Sequence, residues 1–251
     1  MAISISTEDV RLVTNAPIES PNTCDDGMWS GTTTAGVTVR KAIVLGADMQ
    51  KTDITGTKKK ETTKIIQIGT FAALTRAGYE KHADHLVDRF LRFVDKAKHL
   101  FIDITTMVEE VYELVLQDIK DGLLPEQHRG IILLGGYNRG CDDPKFFFVN
   151  NAGVLDLMNT DIDCIRGVFQ TGSGSGAAFV YMDERYRREE DDLTAARTLV
   201  EDAIYSGIQS DSHSGIGIEV VVVRPLMGVG KVESMTIKEY ERRRNIRHAD
   251  S

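Results

Sequence analysis

The chain has 251 residues and a formal net charge of −8, with 41% hydrophobic and 27% charged residues. This composition is typical of a globular protein with one large domain. An acidic chain is a poor partner for a nucleic-acid backbone, and no run reaches the roughly 20 apolar residues of a membrane span. We therefore expect neither nucleic acid nor a membrane among its partners.

The cysteines indicate a reducing compartment. Cys24, Cys141 and Cys164 are odd in number and widely separated, and they show no metal-ligand spacing. The first 31 residues have no basic start and no continuous apolar stretch, so they do not read as a secretory signal. We expect a cytoplasmic location and no metal or other cofactor.

The first half of the chain begins with strands. Residues 1 to about 30 are polar and lack periodicity, as in a leader. The stretches "TTAGVTVR" and "AIVLGAD" predict two strands joined tightly at Arg40–Lys41. "TGTKKKETT" is typical of a polar loop, and "KIIQIGTFAALTRAG" predicts two further strands with a turn near Gly69.

Two helices follow these strands. The stretch "EKHADHLVDRFLRFVDKAKHLF" carries apolar residues at helical spacing, namely Leu86, Val87, Phe90, Phe93 and Val94. The stretch "TTMVEEVYELVLQDIKDG" has a second stripe, formed by Met107, Val111, Leu114 and Val115, and Gly122 is a stop signal. Two consecutive helices with charged outer faces suggest an antiparallel pair lying on a sheet.

The second half repeats this order. "RGIILLGGY", "KFFFVNNAG" and "GVLDLM" predict strands, and the turn "FQTGSGSG" leads into the helix "AAFVYMDERYR". The next helix is "LTAARTLVEDAIYSGIQSD", with Asp191 or Asp192 as its cap. "GIEVVVVRPL" is nearly continuously apolar, so we expect a strand buried on both faces.

Strands and helices thus segregate into blocks, which favours an α+β fold over a doubly wound one. Each strand block can form one sheet, and each helix pair can cover an outer face. The sequence predicts a four-layer αββα sandwich, with two antiparallel sheets between two helix layers.

Three threonines, Thr32 to Thr34, follow Gly31 at the entrance to the first predicted strand. They fit a pleated sheet by their β-branched shape, which is one interpretation. A second is chemical: a cut between Gly31 and Thr32 would free an α-amine with a pKa of roughly 7.7–8.0, able to take the proton of the Thr32 hydroxyl. Gly31 suits this reading, because a residue without Cβ lets the preceding peptide bend.

Further motifs follow at fixed distances. Asp48 lies sixteen residues after Thr32, and Lys64 lies sixteen residues after Asp48. Three short motifs come later, namely Ala77-Gly78, "TGSGS" from Thr171 to Ser175, and "DSHSG" from Asp211 to Gly215. Each is weak alone, but five in order with two fixed spacings are specific together.

From Thr32 to about Val223, the chain resembles a proteasome β subunit, a member of the N-terminal-nucleophile hydrolases. The resemblance implies that residues 1–31 are a propeptide removed by autoprocessing at Gly31-Thr32, and that residues 32–251 form the hydrolase domain. The implied reaction is hydrolysis of peptide bonds through an acyl-enzyme ester, which makes the chain a threonine endopeptidase.

The family's roles carry over residue by residue. Thr32 would be the nucleophile, Lys64 would lower the pKa of its hydroxyl, and Asp48 would keep Lys64 charged and oriented. Gly78 would donate its backbone N–H to the oxyanion. The residues implied to hold the threonine amine and its water are Ser173, Asp211 and Ser214.

Four residues are candidates for binding substrate. In the family, the strand end before Ala77-Gly78 lines the pocket for the side chain before the cut. Arg76 there, with Lys51 nearby, would favour acidic substrates, although Glu80 could neutralise Arg76. Thr52 is implied to hold the peptide as an added strand.

Less specific interpretations stay open. Asp48 and Lys64 could be a surface pair, Ser173 could cap a helix, and His213 is typical of an exposed loop residue. The chain could also be a non-catalytic structural β-type subunit, or a stand-alone amidase or transpeptidase. The retention of Gly31 and the proposed catalytic residues favours activity.

The resemblance also implies partners. These are other β-type subunits in a ring, rings of α-type subunits, an ATPase unfoldase, and unfolded proteins as substrates. The helices near Leu86–Leu100 and Met107–Ile119 would supply ring contacts.

Overall fold

The computed structural model describes residues 29–39, 41–53, 55–56, 59–97, 103–158, 168–186 and 192–249. Residues 1–28 of the expected leader lie outside the described residues, as do Cys24, Cys164 and the alternative cap Asp191.

The described residues form five helices and fourteen strands. The helices are α1 (Glu80–Lys96), α2 (Ile104–Lys120), α3 (Ser175–Arg185), α4 (Leu193–Ser210) and α5 (Ile237–Ala249). The first seven strands are β1 (Trp29–Ser30), β2 (Thr34–Val39), β3 (Ala42–Asp48), β4 (Gln50–Asp53), β5 (Lys59–Glu61), β6 (Ile65–Ile68) and β7 (Ala72–Gly78). The others are β8 (Gly130–Tyr137), β9 (Pro144–Asn150), β10 (Gly153–Asp156), β11 (Val168–Thr171), β12 (Gly217–Arg224), β13 (Gly228–Val229) and β14 (Glu233–Thr236).

One sheet of six strands has the order β11-β2-β3-β12-β13, with β14 also paired to β12. Every pairing is antiparallel, and β3 lies in the middle, with Asp48 opposite Ile218 of β12. Helices α3 and α4 cover the outer face through a core that includes Met182, Val200 and Ile204. Asp192 caps α4 by accepting a hydrogen bond from the backbone N–H of Thr194, as predicted.

The other large sheet has five antiparallel strands in the order β10-β9-β8-β7-β6. Helices α1 and α2 pack on its outer face. Leu86, Val87 and Phe90 of α1 are buried there, as the helical spacing predicted.

A third core lies between the two sheets. It contains Ile43, Leu133, Phe146 and further side chains from both inner faces. Gly36 approaches so closely that a Cβ there would press on the Phe146 ring. The packing is therefore helices, sheet, sheet, helices, which confirms the predicted four-layer αββα sandwich.

Several elements differ from the sequence prediction. Residues 59–61 lie in a strand, β5, rather than in a polar loop, and β5 joins β4 and β1 in a three-stranded sheet. All three residues of β5 are exposed, so no apolar alternation marks it. Strand β14 was not predicted. Helix α5 was not predicted either, because its residues are mostly charged and show no apolar stripe. Leu114 is 41% exposed instead of buried on the α2 stripe.

None of the helices within the described ranges combines the length and apolar character that crossing a membrane needs.

The core between the sheets provides a test of the fold. We expect Phe146→Ala to lower the free energy of unfolding by about 3–5 kcal/mol, because it deletes a fully buried ring between two rigid sheets. Leu226→Ala is the matched control, since Leu226 is 81% exposed and its loss should cost less than about 0.5 kcal/mol. Urea unfolding followed by circular dichroism measures both. Equal midpoints for the two variants would contradict the assigned core.

Candidate active site

The site forms where strands of both large sheets begin or end. Thr32 lies just before β2, and Asp48 is the last residue of β3, the strand that pairs antiparallel with β2. Lys64 precedes β6 of the five-stranded sheet. All three are nearly inaccessible, with exposures of 3%, 0% and 3%. The structure therefore brings the three residues together inside the molecule, and the interpretation of Asp48 and Lys64 as a surface pair is wrong.

Asp48 and Lys64 form a buried ion pair. The Lys64 Nζ donates to Asp48 Oδ1 at 2.7 Å. The same carboxylate accepts backbone N–H bonds from Thr33 at 2.7 Å, Gln50 at 2.9 Å and Gly215 at 3.0 Å. Both carboxylate oxygens of Asp48 thus accept hydrogen bonds. These bonds fix the orientation of the carboxylate toward the Lys64 ammonium.

Burial and pairing act on the two charges in opposite senses. Burial raises the pKa of Asp48, and the Lys64 charge with the backbone hydrogen bonds opposes this rise. Burial lowers the pKa of Lys64, and the Asp48 charge opposes this fall. The Lys64 ammonium is therefore easier to deprotonate than one in water, and its charge depends on the carboxylates around it.

The Gly31–Thr32 peptide lies against this pair. Lys64 Nζ donates to the Gly31 carbonyl oxygen at 3.0 Å, and the Thr32 hydroxyl donates to the same oxygen. Gly31 has a φ of +94°, and a Cβ there would collide with His213. Only glycine fits this position, which agrees with the role expected from its missing Cβ.

A second cluster holds the other side of Thr32. The Thr32 backbone N–H donates to Ser173 Oγ at 3.2 Å, and Ser173 Oγ donates to Asp211 Oδ2 at 2.5 Å. Ser214 Oγ donates to the same Asp211 oxygen at 2.8 Å. Burial alone would raise the pKa of Asp211, but hydrogen bonds from Ser173, the His213 N–H and Ser214 outweigh it and lower that pKa. The three residues predicted to surround the threonine nitrogen therefore lie together beside it.

Ser173 does not cap a helix by its side chain. The first residue of α3 is Ser175, its cap position is Gly174, and no side-chain hydrogen bond caps that end. His213 is partly exposed at 40% of its side chain, as expected for a loop.

A small cavity of about 30 Å³ opens beside the Gly31–Thr32 bond. Its lining residues include three of the predicted motifs and two residues of helix α1, and they are Gly31, Thr32, Lys51, Thr62, Lys64, Arg76, Ala77, Gly78, Glu80 and Ala83. Gly78 ends β7 with a φ of +83°, and a Cβ there would collide with the Arg129 carbonyl. Gly78 is therefore required for the close packing of β7 against the Arg129 backbone.

Two ion pairs form the charged wall of this cavity. Lys51 Nζ lies 2.5 Å from Glu80 Oε1, while Arg76 pairs with Asp84. Arg76 also donates to Thr62 Oγ1 at 3.1 Å. Asp84 is the carboxylate that directly contacts Arg76. Burial lowers the pKa of Arg76, and the negative charge of Glu80 opposes this fall, so Glu80 also acts on Arg76 while it pairs with Lys51. The two cations are balanced by two carboxylates, so the wall carries no formal excess of positive charge.

Thr52 lies beside the short strand β1, which precedes the Gly31–Thr32 bond. Its side chain is buried, donates to the His213 carbonyl at 3.2 Å and accepts from Gln50 Nε2 at 2.9 Å. Its backbone pairs antiparallel with Ser30 of β1. The chain before the Gly31–Thr32 bond therefore lies along β4 as an added strand.

The sequence interpretation missed two charged residues at the site. Asp84 follows Glu80 by four residues on α1, a spacing that places both on one helix face. Glu219 is the single charged residue in the buried part of β12 and lies close to Lys64. The sequence did contain a signal for Glu219, namely a single charged residue within an otherwise apolar run of a strand. A charged group buried in this way needs a partner in the interior, so it could have been assigned to the site.

The four-layer α+β sandwich is consistent with the fold of proteasome subunits. A family model described as "Proteasome subunit" matches residues 28–123. The chain is 28% identical to "Proteasome subunit beta 2" of Staphylothermus marinus, over 78% of this chain and 88% of that protein. It is 27% identical to "Proteasome subunit beta 2" of Nitrosopumilus maritimus, over 80% and 90%. It is 28% identical to "Proteasome subunit beta" of Methanohalophilus mahii, over 79% and 89%. These similarities support a proteasome β subunit.

The buried ion pair can be tested through stability alone. In a Thr32→Ala background, which keeps the leader state constant, we expect Lys64→Met to lower the free energy of unfolding by about 3–5 kcal/mol, because Asp48 is left buried without its counter-charge. Adding Asp48→Asn should recover at least about 1 kcal/mol, since the amide oxygen still accepts backbone N–H bonds. Urea unfolding at pH 7 measures the cycle. Additive losses would contradict a coupled pair.

Proposed function

We propose that the chain is a proteolytic β-type subunit of a 20S proteasome-like ring, an endopeptidase whose nucleophile is Thr32 after cleavage at Gly31-Thr32. One observation carries the proposal: the Gly31 carbonyl lies in contact with both the Thr32 hydroxyl and the Lys64 ammonium. The Thr32 hydroxyl would be the nucleophile, and the Lys64 ammonium would supply a positive charge beside the Gly31–Thr32 peptide bond that the hydroxyl attacks.

Self-cleavage would proceed as a shift of the acyl group from nitrogen to oxygen. The Thr32 oxygen bonds to the Gly31 carbonyl carbon, the Gly31–Thr32 C–N bond breaks, and the hydroxyl proton ends on the liberated amine. Lys64, 3.0 Å from the Gly31 oxygen, stabilises the negative charge that develops there. Water then hydrolyses the ester and releases residues 1–31.

The freed amine would serve as the base in later turnovers. It remains beside Ser173, which already accepts from the Thr32 nitrogen at 3.2 Å and is held by Asp211. Ser214 donates to the same Asp211 oxygen and so helps to fix it. The amine takes the proton of the Thr32 hydroxyl as this oxygen attacks a substrate carbonyl, and Gly78 donates its N–H to the oxyanion.

Peptide substrates would lie where β1 lies now, paired with β4 through the backbone of Thr52. The residue before the cut would then point to the cavity wall of Lys51, Arg76, Glu80 and Asp84. A preference for acidic residues remains the predicted specificity. The balanced ion pairs on that wall predict that this preference is small.

Family membership implies assembly with other proteasome subunits. We extend this to rings of β-type subunits stacked on rings of α-type subunits, fed with unfolded proteins by an ATPase in the cytoplasm, without nucleic acid or a membrane. Leu91 on α1 and Leu114 on α2 are exposed at 44% and 41%, which suits helices that meet a neighbouring subunit.

Self-cleavage is tested by the intact mass of the protein. We expect the wild-type chain to lose residues 1–31 on assembly, whereas Thr32→Ala retains them because it has no attacking oxygen. Thr38→Val is the matched control, since Thr38 is a buried threonine at the far end of β2. Mass spectrometry before and after assembly measures the change. A wild-type chain that assembles with its leader intact would favour the structural-subunit alternative, and a cleaved monomer would favour the stand-alone amidase.

The specificity prediction is tested by changing the wall charge. We expect Glu80→Gln to raise the ratio of cleavage after Glu to cleavage after Leu by about 3–10-fold, because Lys51 loses its carboxylate partner. Asp84→Asn should act in the same direction through Arg76. Initial rates on fluorogenic peptides that differ only in the residue before the cut give these ratios. Ratios unchanged in both variants would show that this wall does not face that residue.

A further inference from the structure

A buried carboxylate outside the predicted constellation contacts the backbone of the lysine. Glu219 lies in β12, is 2% exposed, and pairs through its backbone with Ala47, the residue before Asp48. A glutamate buried in this way is costly unless its charge is matched by hydrogen bonds or by a cation.

The partners of Glu219 lie in the opposite sheet. Glu219 Oε2 accepts from the backbone N–H of Lys64 at 2.9 Å and of Ile65 at 3.2 Å. The Thr63 hydroxyl also hydrogen-bonds to it. The carboxylate thus spans the interior from β12 of the six-stranded sheet to the start of β6 in the five-stranded sheet.

The Lys64 side chain links the two sheets a second time, from the five-stranded sheet back to the six-stranded sheet. Its backbone is held by Glu219 and by the Arg76 N–H, which donates to the Lys64 carbonyl at 3.1 Å. Its ammonium reaches back to Asp48 at 2.7 Å, on the strand next to β12. The two carboxylates therefore fix both ends of Lys64, one at the backbone and one at the ammonium.

The charges around Lys64 come from five elements. Asp48 on β3 and Glu219 on β12 favour its protonated form, while Arg76 on β7 disfavours it. Lys51 on β4 and Glu80 on α1 form their own pair at the cavity wall. Burial raises the pKa of Glu219, and the Lys64 and Ile65 N–H bonds with the Lys64 charge oppose this rise. Glu219 is thus the second negative charge that supports the ammonium.

We propose that Glu219 is a positioning residue for Lys64, holding the lysine backbone across the two sheets and keeping the ammonium charged beside the Gly31 carbonyl oxygen. This inference rests on the proposed threonine chemistry. In a purely structural role, Glu219 would only accept two backbone N–H bonds at the start of β6. A neutral amide oxygen could accept those bonds equally well. The proposed role therefore differs in that it requires the negative charge of Glu219.

The test separates charge from hydrogen bonding. Glu219→Gln keeps an acceptor oxygen and removes the charge, so the protonated lysine loses support and its pKa falls. We expect the alkaline limb of the pH–rate profile to move to lower pH by about 0.5–1 unit, both for self-cleavage and for peptide hydrolysis. Glu201→Gln is the matched control, since Glu201 on α4 is 5% exposed but pairs with Arg197 of the same helix and Arg247 of α5. An unmoved limb in a folded Glu219→Gln protein overturns the proposal.

A second variant covers the case in which Glu219→Gln does not fold. Glu219→Asp keeps the charge but withdraws it by one methylene from the Lys64 N–H. We expect the alkaline limb to stay in place while the rate of peptide hydrolysis falls by about 3–10-fold in the folded variant, because the lysine is less well fixed. A wild-type rate in Glu219→Asp would contradict the positioning role.

A readout without catalysis separates failure of this inference from failure of the proposed function. In the Thr32→Ala chain, NMR titration of the Lys64 ε-methylene follows the lysine directly, with Lys64→Met assigning the signal. We expect its midpoint to fall by about 0.5–1 pH unit when Glu219→Gln is added. If the wild-type chain never cleaves itself, the proposed function fails and this titration still decides the role of Glu219. An unmoved midpoint overturns that role.

Discussion

The buried ion pair between Lys64 and Asp48 is the interaction on which the site depends. It joins the two sheets at the point where β3 ends and β6 begins, and it is stable in the interior because backbone N–H groups saturate the carboxylate. A charged lysine inside a sandwich is otherwise expensive. The four layers can therefore be understood as the scaffold that keeps water away from this lysine while leaving Thr32 at the edge of a cavity.

The rest of the site follows from antiparallel pairing. Because β2 and β3 form a hairpin, the first residues of one strand must meet the last residues of the other, which places Thr32 and Thr33 beside Asp48. Strand β12 continues the same sheet and adds Glu219 from the next position. The "DSHSG" segment then packs against Gly31, and its Asp211 accepts from Ser173, the residue that accepts the Thr32 N–H.

Much of this arrangement could be predicted from the sequence, for definite reasons. Period-two and helical patterns marked the buried strands and helices, and the two sixteen-residue spacings marked Thr32, Asp48 and Lys64. Strand β5 and helix α5 escaped prediction because their stability comes from backbone pairing and from a few contacts such as Tyr240, not from an apolar stripe. The partners of Arg76 and Glu80 also escaped, because ion pairs between a strand end and a helix depend on tertiary distances that spacing does not encode.

The pairing of Trp29–Ser30 with β4 has a consequence for the unprocessed chain. A covalently tethered occupant competes with free peptides at an effective concentration in the millimolar range, far above that of most cellular ligands. While the tether is intact, the groove is closed to outside chains by simple mass action, without any separate inhibitor. In the proposed self-cleavage, cutting one peptide bond would turn that occupant into an ordinary diffusing peptide, so the event that creates the nucleophile would also vacate its groove.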